Sequence, residues 1–314
     1  MGRYLTVRFG QALIVLWAAF TLSFVLLQAL PGDAILIKFQ NPDLGLSADQ
    51  IAQLRLSYGA DTPVLTQYVH AVVSLLHGDF GLSVQTGLPV SDLLSENLPS
   101  TLLLALLGLI VATILAFVLA ALSFLSPFSG LRAALQSLPS LFISVPTFWL
   151  GIVLIQIFSF QLGWIPVINP GPWQGLILPT LTLALPISAP LAQILMRSID
   201  QVQTQPFVAV ARAKGASRAG VLWRHVLGNA LLPTLTVAGL LLGELIAGAL
   251  ITETVFGRSG LGQLTQEAVN TQDSSVLQAI VVISASAFVV INLAIDLLYP
   301  LLDPRLKNST GVTS

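Results

Sequence analysis

The sequence predicts an all-α membrane protein with six transmembrane helices and an extracytoplasmic insertion between the first and second. Three observations carry that expectation. The 314 residues are 55% hydrophobic and only 9% charged, against roughly 25% charged in an ordinary soluble domain. Six apolar stretches contain no Lys or Arg, and each reaches the ~20 residues that a helix rising 1.5 Å per residue needs to cross a hydrocarbon core. The basic residues fall in segments that one choice of orientation gathers on a single side.

The stretches, in order, are residues 11–30, 101–125, 135–160, 173–195, 231–251 and 276–298. The first follows Arg3 and Arg8 as a secretory signal would, but it ends in Leu-Pro-Gly-Asp without a small-x-small cleavage site, so it is expected to be a retained span. With the N-terminus inside, Arg3, Arg8, Arg132, Arg197, Arg212, Lys214, Arg218, Arg224, Arg305 and Lys307 are cytoplasmic, and only Lys38, Arg55 and Arg258 are outside. The positive-inside rule favours this arrangement, with both termini cytoplasmic. The expected organisation is residues 1–30 as N-terminal end and first span, 31–100 as an extracytoplasmic segment, 101–302 as a five-helix core, and 303–314 as a cytoplasmic tail.

Segment 31–100 carries Asp33, Asp43, Asp49, Asp61, Asp79, Asp92 and Glu96 against Lys38 and Arg55. Its SADQIAQLRLSYG stretch combines a Ser47 cap with helical apolar spacing, which predicts helix. A spacer or lid, and a surface that receives a delivery protein, both fit this segment. Prolines crowd the third and fourth stretches, at Pro139, Pro146, Pro179, Pro186 and Pro190. Each removes an intrahelical donor, which a bilayer tolerates only where protein or water satisfies the freed carbonyl. Pro146 and Pro186 are therefore candidates for a pathway lining or a hinge, with simple packing kinks as the alternative.

The residues argue against catalysis in this chain. His70, His77 and His225 lie outside the six stretches and form no HExxH. No histidine or lysine lies in the stretches to activate a buried nucleophile. With no cysteine there is neither a thiol nor a cysteine metal site. The one lysine after a small-residue run, Lys214 in ARAKGAS, lacks the glycine spacing of a phosphate loop. No metal, resident cofactor or nucleic-acid partner is expected, and any ATP must be handled by another subunit.

Glu244 sits mid-span in the fifth stretch, where a carboxylate costs very roughly 2.5–3.5 kcal/mol on insertion scales. It either lines a translocation route or is protonated and hydrogen-bonded between helices. Asp296 is expected to anchor the end of the sixth stretch near Arg305 and Lys307. Gly239 and Gly243 form a GxxxG pair that lets another helix approach, within the chain or in a second subunit.

Residues 208–233 form a basic island between two apolar stretches, in a loop covering 197–229. Arg212, Lys214, Arg218 and Arg224 supply its charge, and Gly215, Gly220 and Gly228 punctuate what otherwise reads as amphipathic helix. Such a helix suits docking into a partner's groove, while topology marking and contact with anionic lipid are the alternatives.

The segments RYLTVRFGQALIVLWAAFTLSFVLLQALPGD, HGDFGLS, ENLPSTLLLAL, ARAKGAS followed by RHVLGNALLP, TETVFGRSGLG and NLAIDLLYPLLDPRLK occur in this order. Together they resemble the permease subunits of bacterial ATP-binding-cassette importers, in the dipeptide, oligopeptide and nickel branch. The resemblance implies a type I importer-permease fold, and it implies that the loop before the fifth span carries the helix that seats in an ATPase subunit. On this sequence the coupling residues become Ala209, Ala211, Arg212, Ala213, Lys214, Gly215, Ala216, Ser217, Arg224 and His225. The acidic first position of the family motif is replaced, with Ala209, Val210 and Ala211 in its place, and its closing proline is displaced to Pro233. The implied partners are a second homologous permease, two ATPase subunits holding ATP and Mg, an extracytoplasmic substrate-binding protein and the bilayer, with peptide as cargo. An ion-coupled secondary transporter, a permease for nickel or another small solute, and a membrane scaffold are the other readings.

Overall fold

The computed structural model describes residues 2–29, 38–39, 46–57 and 62–302. Asp33, Asp43, Asp61, Arg305, Lys307 and the 303–314 tail lie outside the described residues. The described residues form the helices α1 (Gly2–Ala29), α2 (Ala48–Ser57), α3 (Val64–Leu76), α4 (Val90–Leu125), α5 (Ser129–Ser144), α6 (Thr147–Leu154), α7 (Gln174–Gln203), α8 (Pro206–Ala213), α9 (Arg218–Val221), α10 (Leu227–Phe256), α11 (Leu261–Asn270) and α12 (Ser274–Leu302). Among the described residues five helical runs are long and apolar enough to cross a membrane, and a sixth candidate is a bent pair.

That pair corrects the expected continuous span at 135–160. α5 and α6, with the π-helical continuation of α6 over Ile155–Gln161, meet at a bend of 101°. Pro146 causes it. Its ring drives the preceding residue out of the α region, and Val145 accordingly takes φ −93, ψ 121. The three prolines of α7 leave that helix unbroken over Gln174–Gln203. There α5, α6 and α10 pack around it, and the Thr182 and Ser188 hydroxyls bond to the Leu178 and Leu185 carbonyls. Such neighbours and hydroxyls are what make proline tolerable in a membrane helix.

The chain divides into two compact units, one of residues 1–101 with 257–289 and the other of 102–256 with 290–314. In the second, α7 is central and mostly buried. Close approaches rest on glycine: a Cβ at Gly248 would lie 3.1 Å from Leu183, one at Gly108 3.2 Å from Leu245, and one at Gly151 3.2 Å from Val255 and Phe256. Small residues let helix backbones come together where lipid gives no hydrophobic drive to association.

In the first unit, the expected cap of α2 is present as a reciprocal pair. Gln50 N–H donates to Ser47 Oγ at 3.3 Å, and Ser47 N–H donates to Gln50 Oε1 at 2.8 Å. The Asp273 carboxylate, 1% exposed, accepts from Ser83 Oγ at 2.6 Å and from the Gln85 and Val276 amides. Lys38 Nζ donates to the carbonyls of Val84 and Gln85, and Leu261 N–H donates to Thr101 Oγ1 at 2.9 Å. These bonds join parts of the chain that hydropathy reads as separate loops.

Candidate functional site

The basic island folds as two short helices, not as the single amphipathic helix its spacing predicts. Pro206 occupies the first turn of α8, where its missing N–H costs nothing. The helix ends in a Schellman turn: Gly215 N–H donates to the Arg212 carbonyl at 2.9 Å, and Ala216 N–H donates to the Ala211 carbonyl at 3.1 Å. That turn needs a left-handed residue, and Gly215 has φ +85. Ser217 then caps α9 by accepting from Gly220 N–H at 3.1 Å. From α9 the chain passes through one π-helical turn, Leu222–Val226, into α10. Arg218–Phe256 is one helical run of 39 residues.

Burial divides this segment by role. Val208, Ala211, Val221, Leu222 and Val226 are buried in the second unit and fix the segment to it. Arg218 adds a tether, donating from Nη1 to the Ser126 carbonyl at 3.4 Å, and Arg132 donates to the same oxygen at 3.3 Å. Of the residues singled out in the sequence, Ala209, Arg212, Ala213, Lys214, Gly215, Ser217 and Arg224 are exposed, Ala216 and His225 are half-buried, and Ala211 is inside. Sequence reasoning missed Phe207. It stands 45% exposed, with Val210 54% exposed three residues later. The spacing places both on one side of α8, one turn apart, and Lys214 follows a further turn on. No Asp or Glu occurs between Asp200 and Glu244, so this apolar pair lies in a stretch whose only charges are basic. The i, i+3 spacing of Phe207 and Val210 is visible in the sequence, but so is that of Val208 and Ala211, and nothing in the sequence tells which pair faces outward.

Glu244 lies on α10 and is exposed, while its neighbours Leu245 and Ile246 are buried. Leu240, Glu244, Ala247 and Ile251 are all exposed and follow one face of the helix. Among the described residues that stripe is uncovered, with one carboxylate in it. Glu253, two residues beyond the expected span, is wholly buried; the sequence reading placed the span's end too early to include it. Pro146 is exposed at the α5–α6 bend and Pro186 is half-buried within α7. A cavity of about 190 Å³ in the first unit is lined by Gln85, Asn97, Gln263, Glu267 and Asp273 among others. A cavity of about 280 Å³ in the second is lined by Ser123, Arg132, Gln136, Asp200 and Gln203. Neither contains Glu244, Pro146 or Pro186.

Long apolar helices packed through glycines, with a basic helix pair presenting an apolar face, define a polytopic membrane protein. The fold agrees: the methionine ABC transporter MetNI, solved in an inward-facing conformation, superposes with a TM-score of 0.58 at 18% identity, over 67% of this chain and 96% of that one. Residues 106–308 match the family described as binding-protein-dependent transport system inner membrane component, and the chain belongs to that family. A probable peptide ABC transporter permease protein of Sinorhizobium fredii is 35% identical over 98% of this chain and 100% of its own length. The oligopeptide transport system permease protein AppB of Bacillus subtilis is 34% identical over 98% of this chain and 100% of its own. The protein is thus a membrane-spanning permease subunit of an ABC importer, a multi-pass inner-membrane component of the transport system.

Proposed function

We propose that this permease moves small peptides inward, driven by ATP hydrolysis on partner subunits that dock on α8. The observation that carries the docking role is the exposed Phe207–Val210 pair beside Arg212 and Lys214. Its helix is fixed from below by Val208 and Ala211 and closed by the Gly215 turn. A short helix with a two-residue apolar anchor and a cationic rim fits a hydrophobic groove edged with carboxylates. Peptide cargo follows the names of the relatives at 34–35% identity.

In this reading residues 197–229 form the cytoplasmic coupling loop, both termini are cytoplasmic, and residues 31–100 are extracytoplasmic. The assembly holds a second homologous permease, two ATPase subunits binding ATP and Mg, and an external substrate-binding protein. Closure of the ATPases displaces α8 and α9. Because α9 continues into α10 without a break, the displacement reaches the Leu240–Glu244–Ala247–Ile251 stripe, and rigid-body motion exchanges inward and outward access. Glu244 lines the route, where the ammonium of a peptide can meet its carboxyl group. Pro146 and Pro186 mark the helices that accommodate this motion.

Purification of the tagged chain in mild detergent, followed by reconstitution with the subunits that accompany it, tests the reading. Uptake of labelled di- and oligopeptides that requires ATP and the binding protein is the expected result. Uptake that follows an imposed ion gradient without ATP would overturn it.

A further inference from the structure

Helix α3, VLTQYVHAVVSLL, contains no Asp, Glu, Lys or Arg. At 13 residues it is too short to span a bilayer, and apolar helices of this length are either core helices or segments that lie in the membrane interface. It is not a core helix, because none of its residues is buried. One face meets α1. The Tyr68 ring lies 5.3 Å from that of Phe24 and 5.9 Å from that of Phe20, its hydroxyl is 2.8 Å from Thr21 Oγ1, and Gln67 accepts from Gln28 Nε2 at 2.7 Å. At 100° per residue, the outward face carries Leu65, Val69, Val73 and Leu76 within an arc of about 80°. All four are strongly exposed. Thr66 and His70, also exposed, border this stripe on one side.

The position of α3 along α1 identifies what covers the stripe. Thr21 lies eight residues before the end of α1 at Ala29, which is about 12 Å of helix, so the Tyr68 hydroxyl reaches well within the apolar span. At the same level α1 itself displays Leu22, Val25 and Leu26 to the outside. The stripe of α3 therefore continues the apolar surface of a membrane-crossing helix. We propose that α3 is a membrane-interface helix, with Leu65, Val69, Val73 and Leu76 in the acyl-chain region at the C-terminal end of α1 and Thr66 and His70 at headgroup level. The occupant of this face is lipid, and the segment between the first two spans is anchored to the bilayer. This is the arrangement of an amphipathic helix lying in the membrane plane.

The absence of native cysteine permits a direct test. L65C, V69C, V73C and L76C, made singly in the full chain, are labelled with bimane and reconstituted with the co-purifying subunits in vesicles of phosphatidylethanolamine and phosphatidylglycerol. L26C sets the lipid standard and T86C, on the exposed loop before α4, the aqueous one. The expected result is that acyl-chain doxyl lipids quench all four positions as they quench L26C, and that aqueous iodide leaves them nearly unaffected. T66C and H70C should respond to headgroup-level quenchers. Iodide quenching equal to that at T86C overturns the proposal in favour of a solvated helix. Protection from both quenchers overturns it in favour of a protein partner on this face.

Discussion

The Gly215→Val substitution isolates one physical term in the coupling segment. A Cβ at this position meets no atom within 4 Å, so the first side-chain carbon meets no clash. What it imposes is torsional: φ is +85, and an L-residue with a Cβ pays about 1–2 kcal/mol to hold a left-handed conformation. That lowers the population of the closed turn roughly 5- to 30-fold and releases the Ala216-to-Ala211 bond that ends α8. Asn tolerates the left-handed region better than other residues with a side chain, so Gly215→Asn should lie between Val and the native residue. The assay is reconstituted complex in proteoliposomes, scored both for peptide uptake and for ATP hydrolysis stimulated by loaded binding protein. Uptake per ATP should fall in the order Gly, Asn, Val, with membrane insertion unchanged. Full coupling in Gly215→Val would refute the argument. Equal loss in Asn and Val would refute its backbone basis and assign the effect to side-chain bulk against the partner.

Replacing Phe207 and Val210 together by Ser should release the ATPase subunits during purification, since burial of such side chains is worth up to about 1.5–3 kcal/mol each; retention at native affinity would remove α8 as the docking helix. Arg212→Gln with Lys214→Gln should instead slow association and flatten its salt dependence, read by titrating the ATPase subunits at varied ionic strength. Glu244→Gln keeps shape and removes charge, so uptake of peptides with a free amino terminus should fall more than uptake of N-acetylated ones; equal uptake of both at native rates counts against a role in the route. Ser83→Ala removes the 2.6 Å bond to buried Asp273 and should cost about 1.5–3 kcal/mol, measured as a lower midpoint of thermal unfolding in detergent.

Much of the fold was legible because hydropathy is a local sum. Stretches such as 101–125 and 231–251 contain enough apolar residues in sequence to require helix in a bilayer, whatever their neighbours, and α4 and α10 include both. Capping chemistry is equally local. Ser47 with Gln50 and Gly215 with its Schellman turn depend on residues within one turn, so side-chain type alone announces them.

Tertiary structure decided what locality could not. Pro146 breaks its span and Pro186 does not, because α7 has helices packed around it that hold its course. The division of α8 into buried Val208 and Ala211 and exposed Phe207 and Val210 is set by where the second unit offers a surface, and four neighbouring apolar or small residues carry no mark of which way they turn. Asp273 finds Ser83 across 190 residues of chain, and Tyr68 finds Phe20 and Phe24 of α1. The run of apolar residues along the sequence determined that this chain lives in a membrane and where its long helices run; packing between distant residues determined which of their faces are buried and which stay exposed.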